Sequence, residues 1–414
     1  MRPILTLSMM LLVTLGAPAC SSDDSGGSAT ADATSATDTT AGATGDETTD
    51  TTTGDDTGTG GDSAGSTTGD GTGDTSGASS TGEGGWKTAA PLPGIRTLHS
   101  AVRLSDGTVL VTGGADDSDV PSTSAFSYDP AGGTWSTLAP AFKAREAHTA
   151  TALADGGVLV TGGNPTSPTA HAEVYEPGAG WSVVAEMSEG RAGHTATALG
   201  DGRVLIAGGF GNGNLDSSEL FSPDTGDFAD AGAMTSIHSA HAAALLQDGR
   251  VLVTGGAGGS GDASLDAEVF EPGVGWSTVA DMNRARFRHT ATTLLDGKVL
   301  VVGGFNDDTA EIFDPVLGSW TDAGILVAGR YNHTSTRVLD GRVVVIGGFN
   351  SDETKLSRVE IYDPKAAAWT VSAELPVARE EHTATWLGDK DDRILVIAGR
   401  GTSGNIGDAL LFTP

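Results

Sequence analysis

Short apolar runs alternate with polar, glycine-rich segments at a regular interval along residues 86–414. A typical run, Val299-Leu300-Val301-Val302, follows an Asp-Gly pair and ends at two glycines. Apolar runs of this length between turn residues are typical of strands that are buried on both faces. A segment of the form Glu-x-Tyr/Phe-x-Pro follows each run after a variable loop, and its proline is expected to end a strand. The pattern therefore predicts an all-β protein made of short strands.

The same order of features occurs seven times, which is typical of a repeat architecture. A typical copy contains an Arg-x-x-His step, an Asp-Gly pair, an apolar run, a Gly-Gly pair, the Glu-x-Tyr/Phe-x-Pro segment and an aromatic residue. The fourth copy has His238 in place of the arginine, and the first has Phe126 in place of the glutamate. The histidines, spaced 44 to 49 residues apart, are His99, His148, His194, His241, His289, His333 and His382. The aromatic residues are Trp86, Trp135, Trp181, Phe228, Trp276, Trp320 and Trp369. The last copy departs from the others, with a longer turn at 388–392 and Ala398-Gly399 in place of the paired glycines.

Each copy is interpreted as four antiparallel strands, which start at the histidine, the apolar run, the glutamate segment and the aromatic residue. The Asp-Gly pair predicts a type I′ hairpin between the first two strands. A single sheet of this kind would leave apolar surface in water, whereas sheets stacked face to face in a ring cover both faces. We therefore predict a seven-bladed β-propeller. Because the chain ends without an eighth aromatic strand, the strand at Trp86 is expected to complete the last blade.

The order Asp-Gly, apolar run, Gly-Gly, Glu-x-Tyr-Asp-Pro and Trp resembles the kelch repeat, and the resemblance covers essentially all of 86–414. It implies a propeller like the central domain of galactose oxidase. Copper radical oxidases share this fold, and their cofactor resembles a tyrosine cross-linked to a cysteine. The single cysteine here is Cys20, and Tyr128, Tyr175 and Tyr362 lie in predicted third strands. We therefore exclude that activity and expect no cofactor.

The first 85 residues have a different composition. Residues 1–19 resemble an export signal, with Arg2, an apolar stretch from Ile4 to Leu15 and small residues before Cys20. Lipidation of Cys20 is favoured, although Ala17 stands where a lipobox usually carries Leu, and simple cleavage remains the alternative. Residues 21–85 are rich in Thr, Gly, Ser, Asp and Ala, so 20–85 is predicted to be a lipid-anchor cysteine followed by a disordered linker.

Charge and cysteine content narrow the function classes. The chain has 54 acidic and 23 basic residues, for a formal net charge of −31. Such a chain repels phosphate backbones and anionic bilayers, so we expect no nucleic-acid partner and membrane association only through a lipid. One cysteine excludes a disulfide framework within the chain. We expect an exported monomer, either a lipoprotein of the outer membrane or cell surface or a secreted protein.

The arginine three residues before each histidine allows two interpretations. A ring of guanidinium groups around the channel mouth suits an anionic ligand. Alternatively, each arginine pairs with a third-strand glutamate such as Glu173 or Glu360. A group that recurs in nearly every blade more often serves the blade, so the structural interpretation is favoured. The histidines are likewise interpreted as hydrogen-bonded blade elements rather than as metal ligands, and no metal site is predicted.

Positions that differ between blades carry more information about a ligand. The two residues between Arg and His, together with the loops after Gly-Gly, are expected on one face, where blades five to seven offer aromatic, cationic, amide and carboxylate groups. The candidate ligand-binding residues on this face are Arg96, Arg145, Glu146, Arg191, His238, Phe287, Arg288, Tyr331, Asn332, Arg379, Glu380 and Glu381. Aromatic side chains beside hydrogen-bonding groups suit a glycan or a protein ligand.

Three classes of function follow from this interpretation. The leading hypothesis is a non-catalytic ligand-binding or protein-interaction scaffold at the cell surface. The alternative is a carbohydrate-active enzyme similar to a sugar mutarotase or epimerase, which would use Glu146, Glu380 or Glu381 as acid and base. A third class is a structural envelope protein. Fold alone does not choose among them.

Overall fold

The computed structural model describes residues 85–258 and 261–414. The predicted signal peptide, Cys20 and residues 21–84 of the linker lie outside the described residues. The described residues form β-strands joined by turns and loops, as the repeats predict. Within these residues no helix is long and apolar enough to cross a membrane.

Twenty-eight strands form seven antiparallel sheets, which are the blades. The innermost strands are Ser100–Arg103, Thr149–Ala152, Thr195–Ala198, Ala242–Leu245, Thr290–Thr293, Thr334–Arg337 and Thr383–Trp386. The second strands are Val109–Thr112, Val158–Thr161, Val204–Ala207, Val251–Thr254, Val299–Val302, Val343–Ile346 and Ile394–Gly401. The third strands are Ala125–Asp129, Ala172–Glu176, Ser217–Ser222, Ala267–Glu271, Thr309–Asp314, Val359–Asp363 and Gly404–Thr413. The outer strands are Thr134–Thr137, Gly180–Val183, Asp227–Ala233, Gly275–Thr278, Ser319–Ile325, Ala368–Val371 and Gly85–Thr88.

Two short additions lie at the loop ends of these blades. Phe210–Gly211 and Gly213–Asn214 form a small hairpin in the third blade. Arg379–Glu380 pairs with the long second strand of the seventh blade, at Gly401 and Arg400. Both additions extend the sheet on the face that carries the Arg-x-x-His steps.

The blades close into a ring because each innermost strand contacts the innermost strands on either side, including the first against the seventh. The second strands are almost completely buried, and their side chains pack between neighbouring blades. One such cluster joins Leu252 and Val269 of the fourth blade to Val299, Val301 and Phe313 of the fifth. Burial of apolar surface between sheets supplies most of the favourable free energy of such a fold. The predicted seven-bladed propeller is confirmed.

The N-terminal strand closes the ring. Gly85–Thr88 pairs with Gly404–Thr413, with Trp86 opposite Phe412 and Thr88 opposite Leu410. The two aromatic rings lie 4.7 Å apart between centroids. The expectation that the first strand completes the last blade is therefore confirmed.

The Asp-Gly turns differ from the predicted hairpin type. A type I′ turn needs positive φ at both central residues, yet only the glycine of each pair is positive, as at Gly107 with φ 88°. Gly107 N–H donates to Leu104 and Leu104 N–H donates to Thr108, which encloses three loop residues. The Asp106 side chain accepts from Thr108 N–H at 2.9 Å. The loop is a type I turn followed by a glycine in the left-handed conformation. The prediction of a two-residue type I′ turn was therefore wrong, because the loop has three residues.

The paired glycines are required by a close approach between blades. A Cβ on Gly162 would lie 2.3 Å from Arg191 O and 2.6 Å from the His194 ring, both in the next blade. A Cβ on Gly163 would lie 2.7 Å from Glu146 O in its own blade. The two glycines also have φ of 65° and 105°, which favours glycine sterically.

Candidate functional site

The Arg-x-x-His step joins each outer strand to the next innermost strand and lies on the same face as the loop after Gly-Gly. The residue after the arginine forms a β-bridge with the residue after the glycines, as in Tyr331 with Phe349 and Ala192 with Phe210. This pairing confirms the expected placement of both segments on one face, which we call the mouth face.

The repeated arginines lie inside the blades. Arg145, Arg191, Arg286, Arg330 and Arg379 are among the largest fully buried side chains. Each Nη1 donates to a backbone carbonyl at the end of its second strand, as from Arg145 to Gly162 at 2.8 Å. Nη2 then pairs with a third-strand carboxylate, as from Arg145 to Glu173 at 2.6 Å. Arg330 and Glu360 pair in the same way. Burial lowers the pKa of Arg330 to about 10, so its guanidinium is still charged at neutral pH.

The third-strand glutamates also hold the segment that leads into their own blade from the preceding one. Glu173 accepts from the backbone N–H groups of Phe142 and Lys143, at 2.6 and 3.1 Å. Glu311 does the same for Asn283 and Arg284. Each buried carboxylate is thus satisfied by a guanidinium and by backbone donors, as burial of a charge requires.

Three blades have other residues in place of the Arg–Glu pair. In the first blade Phe126 occupies the glutamate position, and the Arg96 guanidinium lies 5.1 Å from its ring centroid, as a cation–π contact. In the fourth, His238 Nε2 lies 3.3 Å from Glu268. In the seventh, Arg379 pairs with Asp408 at 2.6 Å.

The structure therefore places part of the candidate set within the blades. The side chains of Arg96, Arg145, Arg191, His238 and Arg379 are at most 6% exposed and are engaged by their own blades. This geometry confirms the structural interpretation of these positions, and it leaves these side chains without a free surface for a ligand.

Six of the seven histidines form a second repeated contact, between blades, whereas neither ring nitrogen of His148 has a hydrogen-bond partner among the described residues. His99 Nε2 lies 2.9 Å from Thr383 Oγ1, and His241 Nε2 lies 2.8 Å from Thr195 Oγ1. Similar hydrogen bonds to threonine join His194, His289, His333 and His382 to the preceding blade. Burial lowers the pKa of five of these imidazoles to about 3; these are His99, His148, His241, His289 and His382. The imidazoles are neutral inter-blade links, as the blade-element interpretation expects. Among the described residues no group of His, Cys, Asp or Glu is arranged to hold a metal ion.

The residues immediately before the histidines form a ring of backbone hydrogen bonds, which we call the collar. Its members are Leu98, Ala147, Gly193, Ala240, Arg288, Asn332 and Glu381. Six links run round it, from Ala147 N to Leu98 O at 2.9 Å through Glu381 N to Asn332 O at 3.3 Å. Each member has φ between 49° and 59°, a left-handed conformation that is uncommon outside glycine.

An aromatic run lines the mouth face of the fifth and sixth blades. Phe287 stacks on Phe305 at 5.1 Å, Phe305 contacts Tyr331 at 5.2 Å, and Tyr331 meets Phe349 edge-on at 5.5 Å. All four rings are half-buried. Burial and the nearby Glu380 raise the pKa of Tyr331, so its hydroxyl keeps its proton at neutral pH.

Charged and amide groups continue from the aromatic run. Lys355 lies 5.1 Å over the Phe349 ring, and its Nζ is 3.3 Å from Glu380. Asn332 Nδ2 donates to the other oxygen of Glu380 at 2.9 Å. Glu381 lies beside Arg400, with 3.4 Å between Oε2 and Nε. Burial and the adjacent Glu380 raise the pKa of Glu381 to about 7.

Glu146 belongs to the second blade. It is 8% exposed, and burial and Asp119 raise its pKa, while Arg400 acts in the other direction. Arg400 links the seventh blade to the first, because its Nη2 donates to Asp119 at 2.8 Å while its Nε faces Glu381. The structure thus brings together Phe287, Arg288, Tyr331, Asn332, Glu380 and Glu381, and the charge of Arg400 acts on both Glu381 and Glu146.

Four residues of this surface were missed in the sequence. Phe305, Phe349 and Arg400 directly follow a glycine pair or its Ala-Gly equivalent, and Lys355 lies in a post-glycine loop. The signal was available in the register of the repeat, since the residue after Gly-Gly pairs with the residue after Arg.

Two clefts lie away from the mouth. One is lined by Asp201, Asp248, Arg250, Glu271 and Pro272, next to the Asp-Gly turns on the opposite face. The other lies beside the outer strand of the third blade, where Glu186, Glu219 and Asp230 contribute to its lining. Neither contains any of the candidate residues.

The kelch motif matches the chain at residues 96–141, 286–326 and 330–376. These segments each begin at an Arg of the Arg-x-x-His step and end beyond the outer strand. No curated protein matches the chain by sequence.

Solved structures with the same fold are distant in sequence. A fungal alcohol oxidase of the AA5 family, in complex with copper, is 18% identical with a TM-score of 0.67 and covers 80% of this chain and 77% of its own. YjhT is 16% identical with a TM-score of 0.54 and covers 69% of this chain and 99% of its own. At these identities the likeness shows the fold alone. The copper belongs to the oxidase, while the only cysteine here is Cys20. With its seven blades and matched kelch motifs, the folded part of this chain is a kelch-repeat β-propeller.

Proposed function

We propose that this protein is a non-catalytic binding module whose ligand site is the mouth wall of blades five to seven. The kelch propeller supports an interaction role in general. The observation that carries the proposal is the aromatic run from Phe287 to Phe349, which continues into the Glu380, Lys355 and Asn332 network. Half-buried rings beside convergent polar groups are typical of binding sites.

The ligand is proposed to be a glycan or a protein segment. Sugar rings and peptide side chains both stack on aromatic faces and hydrogen-bond to carboxylates and amides. At the position of Phe287 and Tyr331, blades two to four have Glu146, Ala192 and Ser239, so Phe210 of the third blade has no aromatic bridge partner. A ligand therefore contacts one side of the mouth rather than the whole ring.

The location proposed is outside the cytoplasm, with Cys20 as the lipid attachment and residues 21–85 as the spacer. The sequence signals at 1–20 support it. A Cys20→Ser variant tests the anchor: it should move from membranes to soluble fractions, whereas unchanged partitioning would refute lipidation and favour a secreted protein.

A thermal-shift screen of the purified protein with glycans, sugar acids and short peptides tests the binding site. The test variant combines Tyr331→Ala, Glu380→Ala and Glu381→Ala. The matched control combines Asp201→Ala, Asp248→Ala and Glu271→Ala in the opposite cleft. We expect a ligand whose stabilisation is lost in the mouth variant and kept in the control. The reverse pattern, or no shift with any probe, would contradict the proposal.

A further inference from the structure

The collar is unequal around its circumference. Four consecutive members, Leu98 to Ala240, carry no polar side chain, whereas the next three are Arg288, Asn332 and Glu381. The backbones of these three are linked, with Asn332 N to Arg288 O at 3.4 Å and Glu381 N to Asn332 O at 3.3 Å. A cation and a carboxyl group therefore lie on the same arc of the opening with one amide between them.

Arg288 and Glu381, the two ionisable residues of the collar, both lack hydrogen-bond partners within the described part of the protein for part of their side chains. The Arg288 guanidinium forms no salt bridge among the residues that the structure describes. Glu381 Oε2 is buried without a hydrogen bond, and so is the neighbouring Arg400 Nε, although only 3.4 Å separates them. A buried oxygen without a donor makes the ionised carboxylate costly, and the Glu381 side chain is still 16% exposed, so a ligand cation can approach its carboxyl group from the opening. By contrast, Glu380 already has Lys355 and Asn332 as partners.

The charges around Glu381 define which ligand group suits it. Glu380 lies next to it, Arg400 and Arg288 face it from two blades, and Lys355 lies beyond Glu380. The adjacent Glu380 and burial both disfavour its ionised form, and a ligand ammonium would favour that form. Arg288 offers the complementary feature, since its planar fork matches a carboxylate in two hydrogen bonds.

Resting on the mouth-wall site proposed above, we propose that the collar binds a small zwitterion, an amino acid or short peptide. Its ammonium group would lie at Glu381, its carboxylate at Arg288 and a backbone amide at Asn332. The Asn332 Nδ2 is engaged by Glu380, so its amide oxygen is the group that accepts from the ligand. The aromatic run at Tyr331 and Phe305 receives an apolar side chain.

The test is isothermal titration calorimetry of the purified protein with the dipeptide alanyl-phenylalanine and two blocked forms. N-acetylation removes the ammonium charge, and C-amidation removes the carboxylate. We expect each block to weaken binding by about tenfold or more, the usual value of a hydrogen bond to a charged group. The blocked dipeptides probe wild-type protein, so this arm does not depend on the folding of a variant.

Two variants assign each charge to its end of the ligand. In Glu381→Gln the N-acetyl and free dipeptides should bind equally, while C-amidation still weakens binding. In Arg288→Gln the pattern should reverse. Arg250→Gln on the opposite face is the matched control and should behave as wild type.

Three outcomes would overturn the zwitterion. These are equal affinity of blocked and free dipeptides, no binding up to about 1 mM, or variants that lose both charge preferences together. A glycan that needs Tyr331 but ignores Arg288→Gln and Glu381→Gln would refute the zwitterion and leave the mouth-wall site intact. Loss of the zwitterion together with every other mouth ligand would refute both.

Discussion

Arg330 and Tyr331 are neighbours in the chain but belong to two different regions of the molecule. Arg330 points into its blade, fully buried against Glu360 and the carbonyl of Gly347. Tyr331 lies half-buried on the mouth face between Phe305 and Phe349. The first position is the same in nearly every blade, whereas the second varies from blade to blade, with only Glu146 and Glu380 alike. The repeated position holds the blade together, and the variable position forms the surface that a ligand can contact.

The repeated histidines and Glu381 extend the same contrast to electrostatics. The buried histidines bond through Nε2 to the preceding blade in six of seven blades, and burial keeps them neutral, as at His241. The carboxyl group of Glu381 has no counterpart at this position in the other blades and sits beside another carboxylate. A perturbed ionisable group that a single blade carries is more informative about function than a buried group that all blades share.

The largest effect is expected from removing the strand that closes the repeated core. Deletion of residues 85–92 takes Trp86 from its contact with Phe412 and removes the buried Leu92. We expect a loss of at least about 3 kcal/mol in the free energy of unfolding, since removal of one buried leucine costs about 2–5 kcal/mol and the pairing with Gly404–Thr413 is lost as well. Urea denaturation measures it.

An equal deletion in the predicted linker, residues 71–78, is the control and should leave the unfolding curve unchanged. A deletion of 85–92 with the stability of the full chain would mean that the ring closes without its first strand.

Acid is expected to lower the free energy of unfolding because the buried histidines of the repeat must take up protons. Their folded pKa of about 3 lies below the unfolded value of 6.5. The unfolded chain therefore binds more protons between these values, and stability present above pH 6.5 is lost as the pH falls toward 3. Each histidine contributes more than about 1 kcal/mol per pH unit inside this window.

Melting temperatures between pH 8 and pH 4 check this expectation. His241→Gln removes one titrating group and should make the decline shallower. A melting temperature that stays constant from pH 6.5 to 4.5 would contradict neutral buried histidines.

The smallest change in stability is expected from Glu381 at the mouth. Its contribution falls as the pH rises, which is the opposite of the histidine effect. The folded pKa of Glu381, about 7, lies above its unfolded value of 4.5. The stability it contributes is present below pH 4.5 and is lost as the pH rises through 7. Glu381→Gln should therefore stabilise the protein at pH 8, by on the order of 1 kcal/mol, and have little effect at pH 4.

The comparison of Glu381→Gln with wild type in urea at both pH values measures the difference. Equal changes at pH 4 and pH 8 would show that the carboxyl group titrates normally and that its environment is not unfavourable.

The propeller could be predicted from the sequence because the same pattern of strands and turns occurs seven times, and each copy supports the same strand order. Closure by Trp86 followed from counting aromatic strands against the end of the chain. The predicted turn type was wrong because an Asp-Gly pair fits both a two-residue and a three-residue hairpin loop. The two loops are distinguished by the aspartate, whose φ would be positive in a type I′ turn and is not positive here. The choice between ligand and structural roles for Arg145 needed its distance to Glu173.

The mouth surface was only partly predictable. Tyr331, Glu380 and Glu381 were found because they vary between blades. Phe305, Phe349 and Arg400 pair within their blades with Phe287, Tyr331 and Glu380, so the register of the repeat could have located them. The contact of Phe305 with Tyr331 crosses between blades and needed the three-dimensional structure. In the seventh blade Asp408 takes the role that a third-strand glutamate has elsewhere, and this is visible only from its salt bridge with Arg379.

The most direct test of the account compares two glutamates that are equally buried, Glu360 at 1% exposed and Glu380 at 2%. Both are salt-bridged, Glu360 to the repeated Arg330 and Glu380 to Lys355 at the mouth. The measurement is the free energy of unfolding of Glu360→Ala and Glu380→Ala in urea at pH 7. We predict a loss of about 3–5 kcal/mol for Glu360→Ala, which leaves a buried guanidinium unpaired. For Glu380→Ala we predict a smaller loss, about 1 kcal/mol, because Lys355 is still 16% exposed and removal of Glu380 relieves the like charge beside Glu381. Equal losses would contradict the division between a repeated structural interior and a variable binding mouth.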